Sequence, residues 1–502
     1  MVSAFASIVI TRFLGPDGYG LYSICLIVPG LFLLFADFGV NSALVKYLAQ
    51  FRVEGEKARV ASLIRNGFLF KLLTSLFLFL ICFLFSDFLA VYVLGRPGLG
   101  FLVRFVSLLV VFQVLFICLR SVFVGLDRME FSAAISVLQS VVKVVLATLL
   151  IVLGFGVFGA LAGHVASFVV AGVVGSLIVY RVYREYVEQS SGLGSEFLRD
   201  LKFMVRFGFP LFSSSLLLSF LSQFQMLVLA WFTSDFEIGN FRAASNFLSL
   251  LSVLVVPIST ALFPAFSKFN LEDEGSEVER FFLFSVRYVL LILVPVALFV
   301  GVVSRDLVFL VYGRSFVSAP FYLTLLVVMY LYMGVGMVVS SFLNGVGRTD
   351  ITFRLNLLRF LVAVPLVFVL TMFYGVLGLI VSMVVSGFLS LICGLGIVVQ
   401  RFGIRFDVRC VLKIYLASLL SAGLSFFVTS LFSPFGYLVD LFLSFAVFLF
   451  SYLVLVPVVG AVGEGDLNNL RDIFGRFRLL APFVNFLLRF EFWILKLCSS
   501  CS

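Results

Sequence analysis

Residues 12–23 read RFLGPDGYGLYS, and residues 231–245 read WFTSDFEIGNFRAAS. Each is a compact turn set beside long apolar runs, and the second repeats the first at an offset of 219, with Gly20 and Tyr22 over Gly239 and Phe241. In the first, Gly15-Pro16-Asp17-Gly18 offers a fixed φ at proline and a left-handed option at glycine, which suits a sharp reversal. In the second, acids and a hydroxyl take the place of the proline. A corner that recurs at a fixed interval between greasy runs predicts a duplicated bundle of hydrophobic helices whose turns lie at its outer surface.

The composition agrees. Hydrophobic residues make up 62% of the 502-residue chain, charged residues only 12%, and the mean hydropathy is +1.21. A water-soluble domain carries roughly 25% charged residues, so lipid is the expected solvent. Nearly uncharged runs of the length needed to cross about 30 Å of hydrocarbon recur throughout. They are continuous rather than alternating, which predicts helices and not a barrel. The fold class expected is therefore an all-α polytopic membrane protein. The runs number about fourteen, with the first, residues 1–14, short for a span, as if truncated. The first residues lack the pattern of a cleavable signal peptide.

Lys and Arg collect on alternate loops. Arg52, Lys57, Arg59 and Arg65 follow the second run, Arg128 the fourth, and Arg181, Arg184, Arg199 and Lys202 the sixth. Arg348 follows the tenth, and Arg401, Arg405 and Arg409 the twelfth. The intervening loops hold little beyond Arg96, Arg305 and Arg314. The positive-inside rule then puts both termini in the cytoplasm of a cell-membrane protein. Placed this way, the formal net charge of +9 orients a membrane protein and gives no reason to expect nucleic acid as a partner.

Three further matches recur within one residue of that interval, at 218, 220 and 219. NSALVKYLAQF (41–51) lies over STALFPAFSKF (259–269), GLDRME (125–130) over GVGRTD (345–350), and GVFG (156–159) over GVLG (375–378). Each repeat holds six runs. An even number makes both halves enter the membrane from the same side, as parallel repeats about an axis along the membrane normal. The expected organisation is an N-lobe over 1–185 (helices 1–6), a cytoplasmic linker over 186–205, a C-lobe over 206–400 (helices 7–12), two extra helices over 401–462, and a cytoplasmic tail over 463–502.

At this point the residues resemble a known family. RFLGPDGYGLYS followed by FADFGVNSALVKYLAQ is similar to the opening signature of polysaccharide flippases within the multidrug, oligosaccharidyl-lipid and polysaccharide exporter superfamily. GLDRMEF and the later GVFGALAG resemble the family's fourth-to-sixth helix region, and the resemblance runs from residue 12 to about 460. It implies two six-helix lobes about a central cavity, alternating access, and movement of a polyprenyl-linked glycan from the inner to the outer leaflet. Membrane lipids and glycan-assembly enzymes are the partners it implies.

Ionisable groups inside spans mark candidate sites, because each costs about 2.5–3.5 kcal/mol on insertion scales. Lys143 lies mid-span with Gln139 one turn earlier on the same face, and Arg359 falls one turn from the equivalent place in the second half. Arg242 and Asn246 share a face of the eighth run. Lys46, Lys71 and Arg287 lie nearer the inner side, where snorkelling to the headgroups competes with a cavity role. Asp37, the one acid well inside a run, and His164, the sole histidine, are the candidate coupling groups. A mainly cationic interior suits an anionic cargo such as a lipid phosphate or pyrophosphate. A proton- or sodium-coupled exporter of organic cations would need buried carboxylates, which the first run lacks.

No cofactor, metal-ligand spacing, phosphate-cradling loop or nucleophile elbow is present, so the expectation is a transporter and not an enzyme. Of the seven cysteines only the tail pair in CSSC (498–501) has redox or metal spacing, and it has no nearby histidine. The alternatives are a peptidoglycan-precursor flippase or a cation-coupled multidrug exporter of the same superfamily, and after them a membrane glycosyltransferase or polymerase.

Overall fold

The computed structural model describes residues 2–188, 197–269, 275–432, 436–463, 465–467 and 494. The tail pair of cysteines, almost all of the expected tail 463–502 and part of the expected linker 186–205 lie outside them. All regular structure among the described residues is helical. Ten helices are long and apolar enough to cross a membrane, or eleven if the bent pair Asp235–Ser252 and Pro257–Phe266 counts as one span. The difference from fourteen arises where neighbouring runs meet at a glycine break with no loop between them, so that two runs form one stretch. Residues Phe5–Leu33 join the first run to part of the second across a kink at Gly15 (φ 69°, ψ 178°).

The two longest stretches, Met129–Val187 and Thr349–Phe402, are helical hairpins. In the first, Gly159 packs on Leu150, Gly163 on Ala147, and Gln139 bonds Ser167, so the legs run antiparallel. In the second, Gly378 packs on Leu370 and Ser390 bonds the Leu355 carbonyl. Their corners are Gly156 (φ 50°, ψ −129°) and Gly375 (φ 56°, ψ −132°). That region of backbone space is open to glycine and closed to residues with a Cβ. The GVFG and GVLG match thus encodes one corner twice.

The repeat extends into packing that the sequence shows faintly. Asp127 (φ 57°) and Gly347 (φ 78°) hold the same left-handed turn, and the next residue closes it with the same bond. Arg128 N–H donates to the Phe123 carbonyl at 2.8 Å, and Arg348 N–H to that of Leu343 at 2.8 Å. Aspartate is among the few non-glycine residues that accept this conformation. Gly125 lies against Leu44 and Leu48, Gly345 against Phe263 and Phe266; Gly175 lies against Leu119 and Ile135, Gly394 against Val339 and Leu355. Each pair of contacts is one contact displaced by 218 to 220 residues.

The chain folds as two compact units, Met1–Asn246 with Phe360–Ser382, and Phe247–Arg359 with Met383–Ser502. In the first unit the two corners interlock. A Cβ on Gly20 would fall 1.8 Å from the Asp235 carbonyl oxygen, and one on Gly239 would fall 1.9 Å from that of Pro16. This reciprocal exchange is what a local two-fold axis produces, and it sets both turns at the same end of the bundle, as parallel repeats require. Arg96 reinforces it, pairing with Asp235 at 2.9 Å and donating to the Thr233 carbonyl. In the second unit the helices Val408–Phe432 and Tyr437–Val458 pair with each other through Ser425 and the Ser444 carbonyl. Tyr452 fastens the latter helix to the Leu291 carbonyl of Gly275–Val302.

Candidate anion-binding site

Four helical segments of the first unit meet around the hydrogen-bonded pair Tyr22 and His164, and two of them carry Lys143 and Arg242. The stretch after the Gly15 kink brings Tyr19 and Tyr22, one turn apart, whose rings stack at 5.8 Å. The second leg of the hairpin Met129–Val187 brings His164, and its Nδ1 shares a 2.6 Å hydrogen bond with the Tyr22 hydroxyl. Lys143 comes from the other leg and acts electrostatically on the His164 imidazole, as Arg242 does on Tyr22. Arg242 and Asn246 share one face of the helix Asp235–Phe266, and Asn246 donates to the Tyr19 hydroxyl at 3.0 Å.

Among the described residues neither Lys143 nor Arg242 has an ion-pair partner, and the Arg242 Nε is sealed from solvent with no acceptor. Cations without an ion-pair partner beside phenolic, imidazole and amide groups offer the donor chemistry that would suit an oxyanion: Arg a planar fork of donors, Lys a point charge. Gln139, one turn from Lys143, is not free to join them. Its Nε2 donates to Ser167, whose hydroxyl donates to the His164 carbonyl, so it ties the hairpin legs and sets the imidazole's backbone.

The remaining sequence candidates lie elsewhere. Lys71 is buried, 1% exposed, with its ammonium saturated: it donates to the Ala36 carbonyl at 3.1 Å and the Asp37 carbonyl at 3.3 Å and pairs with the Asp37 carboxylate. The segment it caps is a break between the helices Ile27–Leu33 and Val40–Val53, where Phe38 and Gly39 take positive φ. Asp37 is thereby committed, and it also accepts the Asn41 N–H at 3.1 Å. Lys46 is exposed and lies over the Phe207 ring at 4.1 Å. Arg287 reaches toward the end of the chain, bonding the Ala461 carbonyl at 2.7 Å and Asp466 at 2.7 Å. Arg359 belongs to the second unit, where it lines a cavity of about 480 Å³.

Sequence reasoning missed Tyr19 and Tyr22. They stand in the quoted corner at i and i+3, but with 16 tyrosines and 65 phenylalanines in the chain two more aromatics carried no signal.

Residues 1–270, more than half of the chain, match the profile of the family described as "Polysaccharide biosynthesis protein". The chain belongs to this family. Residues 210–369 also match a profile named MatE. Among curated relatives of this polysaccharide biosynthesis family member, the lipopolysaccharide biosynthesis protein WzxC of Escherichia coli is 31% identical over 35% of this chain and 35% of its own length. A putative O-antigen transporter of Shigella dysenteriae is 24% identical over 37% and 46%. The chain thus spans less than half the length of these two relatives. The succinoglycan biosynthesis transport protein ExoT of Rhizobium meliloti is 25% identical over 70% of this chain and 67% of its own.

Solved structures share the fold. A lipid II flippase MurJ in an inward closed conformation superposes with a TM-score of 0.73 at 16% identity, covering 91% of this chain and 96% of that one. An inward-facing multidrug resistance MATE family transporter of the MOP superfamily gives 0.63 at 18%, covering 80% and 94%. At these identities the likeness establishes the fold: a multi-pass helical membrane protein of the architecture that transporters use.

Proposed function

We propose that this protein is a flippase that carries a polyprenyl-(pyro)phosphate-linked oligosaccharide from the inner to the outer leaflet by alternating access, for surface polysaccharide assembly. The observation that carries the reading is that Lys143 and Arg242, which act on the bonded pair Tyr22 and His164, have no ion-pair partner among the described residues, in a member of the polysaccharide biosynthesis family. A phosphate stripped of water gains charge-assisted hydrogen bonds from both. The curated relatives named as O-antigen and succinoglycan transporters support the substrate class. The protein acts as a transporter and not as an enzyme, in the plasma membrane, with both termini cytoplasmic as the distribution of Lys and Arg requires. Asp37 speaks against export of organic cations: it is neutralised by Lys71 and so offers no free carboxylate.

Lys143→Gln and Arg242→Gln, each expressed in place of the native chain, test the assignment. Loss of surface glycan with unchanged protein in the membrane is the expected outcome. Normal glycan in both single variants refutes it.

A further inference from the structure

The first leg of the hairpin in the second unit presents Thr352, Asn356 and Arg359 on one face, at i, i+4 and i+7. All three line the cavity of about 480 Å³. Among the described residues none of their side chains hydrogen-bonds to the protein, and the Thr352 hydroxyl and the Arg359 Nε are sealed from solvent without partners. A guanidinium held in a spanning segment is costly unless something compensates it, and no carboxylate lines this cavity.

The other repeat carries the same stripe in a different state. The contacts of Gly175 and Gly394 set Ile135 over Leu355. In that register Ser132, Ser136 and Gln139 stand where Thr352, Asn356 and Arg359 stand. The first-repeat trio closes on the protein itself. Ser136 donates to the Ser132 carbonyl, Gln139 donates to Ser167, and Arg120 lies 3.4 Å from the Ser132 hydroxyl. The second-repeat trio is charged and faces open space. One polar stripe has been kept as a structural tie in one half and left unsatisfied in the other.

We infer that this cavity is a separate anion site, and that it takes the carboxylate of an acidic sugar in the cargo. Arg359 meets the carboxylate through its guanidinium, and Asn356 and Thr352 bond the neighbouring oxygens. Much of the remaining wall is apolar, with Met329, Met333 and Leu391, and soft thioethers adapt to the C–H faces of a pyranose ring. A bare phosphate would leave that wall uncovered. This inference rests on the flippase reading for its biological meaning, while its test does not depend on transport.

The test is thermal unfolding of the purified full-length protein in detergent, titrated with sodium D-glucuronate, D-glucose or inorganic phosphate at matched ionic strength. Glucuronate is expected to raise the midpoint and glucose to leave it unchanged. Arg359→Gln and Arg359→Met should lower the apparent affinity for glucuronate roughly tenfold or more. An equal shift with glucose, an equal glucuronate shift in both Arg359 variants, or no glucuronate shift in the native protein overturns the inference. Phosphate matching glucuronate, with both lost in Arg359→Gln, overturns the sugar-acid assignment. Failure of the flippase reading would register separately, as Lys143→Gln and Arg242→Gln variants that export glycan normally.

Discussion

Lys71 and Lys143 bring the same charge into the bundle and end in opposite situations. Lys71 gives its ammonium to two carbonyls and a carboxylate, whereas Lys143 has no ion-pair partner among the described residues. Removing one partner of a buried pair leaves the other charge uncompensated, at a cost of about 3–5 kcal/mol. Lys71→Met should therefore lower the thermal midpoint or abolish membrane expression, while Lys143→Met keeps stability and loses transport. Comparable thermal midpoints for the two variants would contradict this division. The sequence places both lysines within apolar runs but does not separate their roles, because the acid that neutralises Lys71 lies 34 residues away across a broken helix. Asp306, in the short helix Ser304–Val311 outside the spans, behaves differently again. Burial foremost, then the nearby Asp440, pushes its carboxyl above the ordinary range, with Arg305 opposing. The native state thus holds this proton more tightly than the unfolded chain does. That contribution to stability is complete below the ordinary carboxylate range and is lost as pH rises through the elevated value. Asp306→Asn should raise the midpoint at neutral pH and lose its advantage under acid conditions, measured by unfolding across pH; a variant less stable than the parent at neutral pH would contradict the sign.

At the scale of elements, glycines rather than side chains set the architecture. The interlocked corners leave no room for a methyl group at Gly20 or Gly239, where the facing carbonyls would lie 1.8 and 1.9 Å from a Cβ. Gly20→Ala and Gly239→Ala should harm the protein to a similar degree, since each breaks the same contact from opposite sides. Gly98→Ala, with open space around it, should fall within about 0.5 kcal/mol of the parent. Yield and thermal midpoint in detergent read the comparison, and tolerance of alanine at either corner would refute the reciprocal packing. The repeat was legible at this scale because its turns are written in residues with special backbone freedom: GVFG over GVLG, and Asp127 over Gly347. Element boundaries were less so. Apolar runs record where lipid contact is allowed, not how far a helix extends, so the runs read as separate are the two legs of each hairpin within the stretches Met129–Val187 and Thr349–Phe402, joined at Gly156 and Gly375 without a loop.

At the scale of the molecule, composition determined the solvent, long unbroken apolar runs the helices, and an interval of about 219 residues the duplication. The site was only half legible. A cation inside a span is visible in a sequence, but whether it faces a carboxylate, a carbonyl or open space depends on helices far apart in the chain. Arg242 and Lys143 act on the bonded pair Tyr22 and His164, Arg287 turns to the Ala461 carbonyl and Asp466, and Arg359 enters a cavity of its own. The proposed activity asks that the first pair hold an acidic headgroup during its passage. The most direct measurement is leaflet exchange in sealed vesicles containing the purified protein and a fluorescent polyprenyl-pyrophosphate oligosaccharide, followed by quenching from outside. The native protein should move the lipid between leaflets, and Lys143→Gln and Arg242→Gln should slow that movement at least about tenfold, the loss of one charge-assisted contact. Movement of cationic dyes without the glycolipid, or undiminished flipping by both variants, would contradict the proposal.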